Sequence, residues 1–118
     1  MRLIPAILEI TSQSVDKGKN FTIAGFPGST GNVVTIGRSV VTGERAFSHI
    51  HLSDEYRTVS RNQAELIERK GEVFIKNLGE TNPTRVNGVE LESGKELQLS
   101  YGDKIQLGEL ELIFKQRV

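Results

Sequence analysis

Along much of the chain apolar residues recur at every second position. Ile4, Ala6, Leu8 and Ile10 form one such set; Ile50 and Leu52, Leu97 and Leu99, Ile105 and Leu107, and finally Leu110, Leu112 and Phe114 form others. Side chains on a strand point alternately to its two faces, so each set predicts a half-buried strand with one face turned to a core. Turn signals separate the sets at Asp16 to Lys19, Lys70-Gly71, Asn87-Gly88, Ser93-Gly94 and Gly102-Asp103. Asn-Gly is the strongest of these, because both residues tolerate positive φ, and the second half of the chain reads as successive hairpins. No long segment keeps apolar residues at i, i+3, i+4 and i+7, and glycine recurs too often for long helices. About ten short strands remain, and each must cover its apolar face with another sheet; the pattern predicts an all-β sandwich. Phe26 to Asn32, rich in Gly and Pro, and the stretch from Arg38 to His49 fall outside the alternation and are expected to be loops. Long loops in a small β domain are more often functional than idle.

The length of 118 residues fits a single domain over 1–118, without repeat, low-complexity tract or linker. Fifteen basic residues balance fifteen acidic ones, so no surplus of positive charge is available to hold nucleic acid or an anionic membrane surface. Five Phe and two Tyr, with no cluster on one strand, also argue against stacking on nucleic-acid bases or sugars. Without cysteine there is neither a disulfide nor a thiolate site. Glu9 interrupts the first apolar run before it reaches signal-peptide length, and no stretch approaches the roughly 20 apolar residues of a membrane span. A soluble, cytoplasmic protein is the expectation.

Three short motifs carry candidate chemistry. Gly37-Arg38 follows the apolar strand Val33 to Ile36 and delivers an arginine to the sandwich rim. Val59-Ser60-Arg61-Asn62-Gln63-Ala64 sets a hydroxyl beside a guanidinium just before the strand Glu65 to Arg69. Asn77-Leu78-Gly79-Glu80-Thr81-Asn82-Pro83-Thr84 is a polar loop, followed by Arg85-Val86-Asn87-Gly88. The loops near Ser60 and Thr81 are separated by one hairpin, at Lys70-Gly71, so they share a rim. The same parity puts Arg38 at the other end unless Ile50 to Leu52 is a short detour.

In order and spacing these motifs resemble the forkhead-associated (FHA) domain family, whose pattern runs Gly-Arg, Ser-Arg-x-His, a loop close to Asp-Leu-Gly-Ser-Thr-Asn-Gly-Thr, and Val-Asn-Gly. The resemblance covers Val33 to Phe114. It implies a sandwich of two antiparallel sheets with about eleven strands, and phosphothreonine-peptide binding by loops at one end. It also implies that Arg38 joins Ser60 and Thr81 there, that Asn82 holds the peptide main chain, that Arg61 supports the same surface, and that Gly37, Gln63, Asn87 and Gly88 support the site. The implied partner is a Thr-phosphorylated protein or peptide, such as a Ser/Thr kinase or its substrate. The chemistry fits: a phosphate carries about −1.5 to −2 charges and three acceptor oxygens, and an arginine fork with neutral hydroxyl donors matches them.

Four positions depart from the family pattern. Gln63 stands in place of a histidine, Pro83 of a glycine, Glu80 of a small polar residue and Asn77 of an aspartate. A second reading follows from them, an FHA-fold interaction domain with weakened or lost phosphate binding. No cofactor is implied. His49 and His51 lie at i, i+2, but no third ligand at a suggestive spacing makes them a metal site. Ser60, Asp54 and a histidine assemble a hydrolase triad only on paper, because nothing in the pattern sets a base within reach of the hydroxyl. No catalytic residue is assigned.

Overall fold

In a computed structural model, which describes residues 2–117, the alternating segments become eleven strands. They are β1 (Arg2–Ile10), β2 (Asn20–Gly28), β3 (Gly31–Gly37), β4 (His49–His51), β5 (Ala64–Arg69), β6 (Glu72–Asn77), β7 (Thr84–Val86), β8 (Val89–Leu91), β9 (Glu96–Gln98), β10 (Lys104–Leu107) and β11 (Leu110–Gln116). One continuous hydrogen-bonded path, β8-β7-β10-β11-β1-β2-β3-β5-β6-β9, folds over into a sandwich, with β4 attached beside β3. Strand β2 makes the transition between the layers. Its residues from Asn20 to Gly25 pair with β1 and its last three pair with β3. The inward sets meet in the middle: Ile4, Leu8, Ile36, Leu66, Ile75 and Leu112 are each no more than 1% exposed. Among the described residues no helix is long and apolar enough to cross a membrane.

The turns fall where the sequence marks them, and among the described residues Lys70 and Asn87 are the two non-glycine residues with positive φ, at 52° and 50°. Two expectations need correction. Phe26 to Asn32 is not a loop: β2 runs on to Gly28, β3 starts at Gly31, and Pro27 pairs with Asn32. A proline is tolerated because the described pairs between β1 and β2 end at Gly25, leaving Pro27 a neighbour on one side only. Leu97 faces the core side with its pair partner Ile75, yet β9 is an edge strand and leaves it 39% exposed. The pairing is antiparallel throughout except between β3 and β4, which run parallel.

That parallel pair resolves the position of Arg38. The chain leaves β3 at Gly37, passes through a 3-10 helix at Gly43–Ser48, and returns alongside the end of β3 as three-residue β4. Segment Ile50 to Leu52 is therefore the short detour that the parity argument required. Ile36 pairs with Ala64 and Ala64 with Asn77, so the end of β3, the start of β5 and the end of β6 lie on one rim.

Candidate functional site

Gly37 lets two loops of this rim touch. A Cβ there would lie 2.0 Å from the Arg61 carbonyl oxygen, so only glycine admits the approach. The Arg38 amide then donates to the Ser60 carbonyl at 3.3 Å and the Ser39 amide to the Arg61 carbonyl at 3.0 Å. The Arg38 side chain is 21% exposed. Its Nε donates to the Val59 carbonyl, which fixes the guanidinium on the loop that carries Ser60. Its only acidic neighbour among the described residues is Asp54, at 3.4 Å and itself 82% exposed. An exposed pair at that distance contributes little, so most of the arginine's capacity is unused.

Gln63 joins this loop to the next. It is fully buried; its Oε1 accepts from the Ser60 amide at 2.7 Å, and its Nε2 donates to the Asn82 carbonyl at 3.0 Å and the Thr84 hydroxyl at 2.9 Å. Thr84 passes the chain on by donating to Asn77 Oδ1 at 2.8 Å, and that oxygen also accepts from the Gly79 amide at 3.0 Å. Asn77 Nδ2 donates to the Leu91 carbonyl at 2.9 Å. A Cβ on Gly79 would lie 2.6 Å from both Gln63 Nε2 and the Asn82 carbonyl, so this glycine too is a packing requirement. Every polar atom of the hub is partnered, which makes the loops rigid rather than strained. Above it, Asn82 Nδ2 donates to Ser60 Oγ at 3.2 Å. Ser60 accepts in that bond, so its own hydroxyl proton stays free for a ligand.

The FHA domain family model matches residues 34–108, a span that takes in all three loops. The chain belongs to the FHA domain family. No curated protein sequence matches it. Among solved structures, an FHA domain from a structural and functional analysis of phosphothreonine-dependent FHA interactions is 25% identical, with a TM-score of 0.69, over 96% of this chain and 97% of that one. The MEK1 FHA domain in complex with a phosphothreonine peptide of HOP1 is 20% identical, with a TM-score of 0.66, over 98% and 99% of the two chains. The FHA domain of an Arabidopsis thaliana hypothetical protein is 22% identical, with a TM-score of 0.73, over 98% and 88%. At their lower identities the last two establish the fold alone.

Within this FHA domain the structure brings Arg38, Ser60 and Asn82 together. Thr81 is exposed in the same loop and its hydroxyl makes no hydrogen bond among the described residues. Arg61 is exposed, and it is its carbonyl that meets the Gly37 strand. Gly37 and Gln63 touch the Ser60 loop directly. Asn87 and Gly88 do not: Asn87 is tied to Asp103 and Lys104 at the far end of β7, so the pair holds the β7–β8 hairpin and reaches the rim only through it. His49 Nε2 donates to the Ser39 carbonyl, and its Nδ1 shares a hydrogen bond with the Thr35 hydroxyl, both at 2.7 Å. With both ring nitrogens engaged it has no lone pair for a metal. Asp54 pairs with Arg38 rather than with a histidine, so no triad forms. Sequence reasoning missed the roles of Asp54, the Val59 carbonyl and buried Thr84. Of these only Thr84 had a signal, as the last residue of the family-like polar loop.

Proposed function

We propose that this FHA domain is an interaction module that binds phosphothreonine peptides at the Arg38–Ser60–Asn82 rim, with no catalytic step. The observation that carries the reading is the state of Arg38. Its Nε is fixed by the Val59 carbonyl, while the outer guanidinium nitrogens meet only a weakly held, exposed carboxylate. A phosphate bearing up to two negative charges would displace Asp54 from that fork and take further bonds from the free Ser60 and Thr81 hydroxyls. Asn82, held from below by Gln63, would meet the peptide backbone, and exposed Arg61 would add positive charge beside it. The departures from the family pattern leave these donors in place. Gln63 satisfies its own loop, Pro83 still offers its carbonyl to the Gly108 amide at 2.9 Å, and Glu80 forms no ion pair with Arg38. The bound protein would be Thr-phosphorylated, a Ser/Thr kinase or one of its substrates, met in the cytoplasm.

The test is a fluorescence-anisotropy titration with an oriented phosphothreonine peptide library, beside unphosphorylated and phosphoserine counterparts. Saturable binding to phosphothreonine, absent without phosphate and weaker for phosphoserine, is the expected result. Binding that ignores the phosphate, or no binding to any phosphorylated pool, overturns the proposal.

A further inference from the structure

The hydrogen-bonded path of strands ends at β8 in one layer and β9 in the other, and Glu92 to Lys95 joins the two across the open side of the sandwich. Both end strands leave inward-facing apolar residues uncovered. Leu97 shares a face with buried Leu99 yet is 39% exposed, and Val89, opposite buried Val86, is 64% exposed. The outer edge of β9 is also unpaired. The Lys95 carbonyl accepts from the Asn77 amide and the Leu99 amide donates to the Val73 carbonyl, so the odd-numbered residues turn their backbone groups to β6. By alternation Glu96 and Gln98 point theirs outward, where no hydrogen bond within the described chain meets them. Such an edge is a template for another strand. At its far end, away from the phosphate rim, a cavity of about 270 Å³ opens over Val73, Leu99 and Phe114. Tyr101 stacks on Phe114 with ring centroids 5.6 Å apart and shows its other face to solvent. Glu72, on the cavity wall, forms no ion pair among the described residues.

The occupant that matches this pattern is β9 itself. We infer that two copies of this chain pair through their β9 edges, antiparallel and about a two-fold axis at Leu97. In that register Glu96 of each copy lies opposite Gln98 of the other, and each such pair exchanges two backbone hydrogen bonds. The two Leu97 side chains meet at the axis as a non-hydrogen-bonded pair, the closer kind, and cover one another. Glu96 faces an uncharged glutamine and keeps its ion pair with Arg69 on the outer face. Lys95 of one copy falls opposite Leu99 of the other, and Lys95, Leu97 and Leu99 lie on one face of the strand, the face that borders the cavity. Lys95 is exposed and forms no ion pair among the described residues. Its aliphatic stem would cover the apolar floor and bring the ammonium to the open face of Tyr101 and the Glu72 carboxylate. Other registers lose this match: a slip of one residue turns Leu97 away from its counterpart, and a two-residue slip towards the turn sets Glu96 against Glu96. The pairing uses the same edge in both copies, so it closes at a dimer. Because the strands run antiparallel, the two phosphate rims point to opposite ends and stay open.

A short edge buries less than the roughly 1,200 Å² of a stable complex, so the dimer is expected to be weak, with a dissociation constant on the order of 100 µM. Sedimentation equilibrium up to about 1 mM tests the native chain, Gln98→Pro, Lys95→Glu and the double variant Lys95→Glu with Glu72→Lys, with thermal unfolding as the folding control. Gln98→Pro removes an outward N–H without touching the β6 ladder and should weaken association about tenfold or more. Lys95→Glu should weaken it about tenfold by setting a carboxylate beside Glu72, and the double variant should restore it. The chain has no cysteine, so Leu97→Cys can form a disulfide only with a second copy. Its Cα atoms would lie about 4.5 Å apart at the axis, a spacing that a disulfide accepts. In a glutathione redox buffer Leu97→Cys should cross-link about tenfold faster than Val15→Cys, an exposed position on the β1–β2 loop. A native chain that stays monomeric up to about 1 mM overturns the proposal. So does a dimer that survives both Gln98→Pro and Lys95→Glu, or equal cross-linking of the two cysteine variants. A double variant that associates no better than Lys95→Glu overturns the register.

Discussion

Two buried polar groups sit near opposite ends of β5, and they solve the same problem differently. Gln63, just before the strand, is neutral and spends all its hydrogen bonds on neutral groups: the Ser60 amide, the Asn82 carbonyl and the Thr84 hydroxyl. Glu68, 2% exposed, is charged and gathers the Asn32 amide at 2.9 Å, the Gly71 backbone amide at 2.7 Å and the Arg2 guanidinium at 2.8 Å. Burial pushes the Glu68 carboxyl up, but these partners outweigh it and hold the group below its ordinary value. The charged hub neutralises itself, ties β1, β3 and the Lys70-Gly71 turn together, and offers nothing to a ligand. At the other end the hub is neutral and Arg38 above it is left without a buried counter-charge. The proposed binding rim therefore combines a satisfied, uncharged foundation with an unsatisfied cation on top.

The sharpest way to break this contrast is Arg38→Ala. A lost bidentate pair of charge-assisted bonds corresponds to a drop of at least about a hundredfold in phosphopeptide affinity. Because Nε also bonds the Val59 carbonyl, stability should fall as well, by about 1 kcal/mol, which calorimetry on the same sample would register. Full binding by a folded variant would move the phosphate site elsewhere.

Next in size is Glu68→Ala, which strips two amide donors of their acceptor and should cost about 2 kcal/mol of stability with no change in peptide affinity. The same residue sets a pH dependence. Its folded pKa lies below the ordinary value near 4.5, so its contribution is fully present above that value and is lost as the pH falls through the folded pKa. Denaturant melts from pH 6 to 3 should therefore show a steeper loss of stability for the native chain than for Glu68→Gln. Parallel curves would mean that the hub does not carry the acid sensitivity.

Gln63→His sharpens the comparison from the neutral side. An imidazole supplies one acceptor and one donor where the amide makes three bonds, so the variant should fold, lose about 1 kcal/mol, and keep its peptide affinity within a few fold. Failure to fold would show that the loops are built around the amide. The smallest effect is expected for Asp54→Asn. Removing the exposed carboxylate that competes for Arg38 should raise affinity twofold to fivefold, the worth of a surface ion pair, and weaken its dependence on salt. Reduced affinity would make Asp54 a ligand contact instead.

Much was legible in the chain alone. Alternation fixed which residues are inside, since a strand has only two faces and one of them must be buried; Ile4 through Ile10 and Leu110 through Phe114 are buried on the faces expected. Asn87-Gly88 and Lys70-Gly71 announced their turns because few residues accept positive φ. The order of three loop motifs pointed to Arg38, Ser60 and Asn82. What the chain could not show was how distant segments meet. Whether Arg38 shares a rim with Ser60 depended on a three-residue parallel strand too short to leave a pattern. That Gln63 is a buried hub, and that Ser48 is buried without a partner, depended on which side chains surround them. Hydrophobic periodicity is a property of neighbours in sequence and survives in the sequence, whereas the satisfaction of a polar group depends on atoms that only the closed sandwich brings within hydrogen-bond reach.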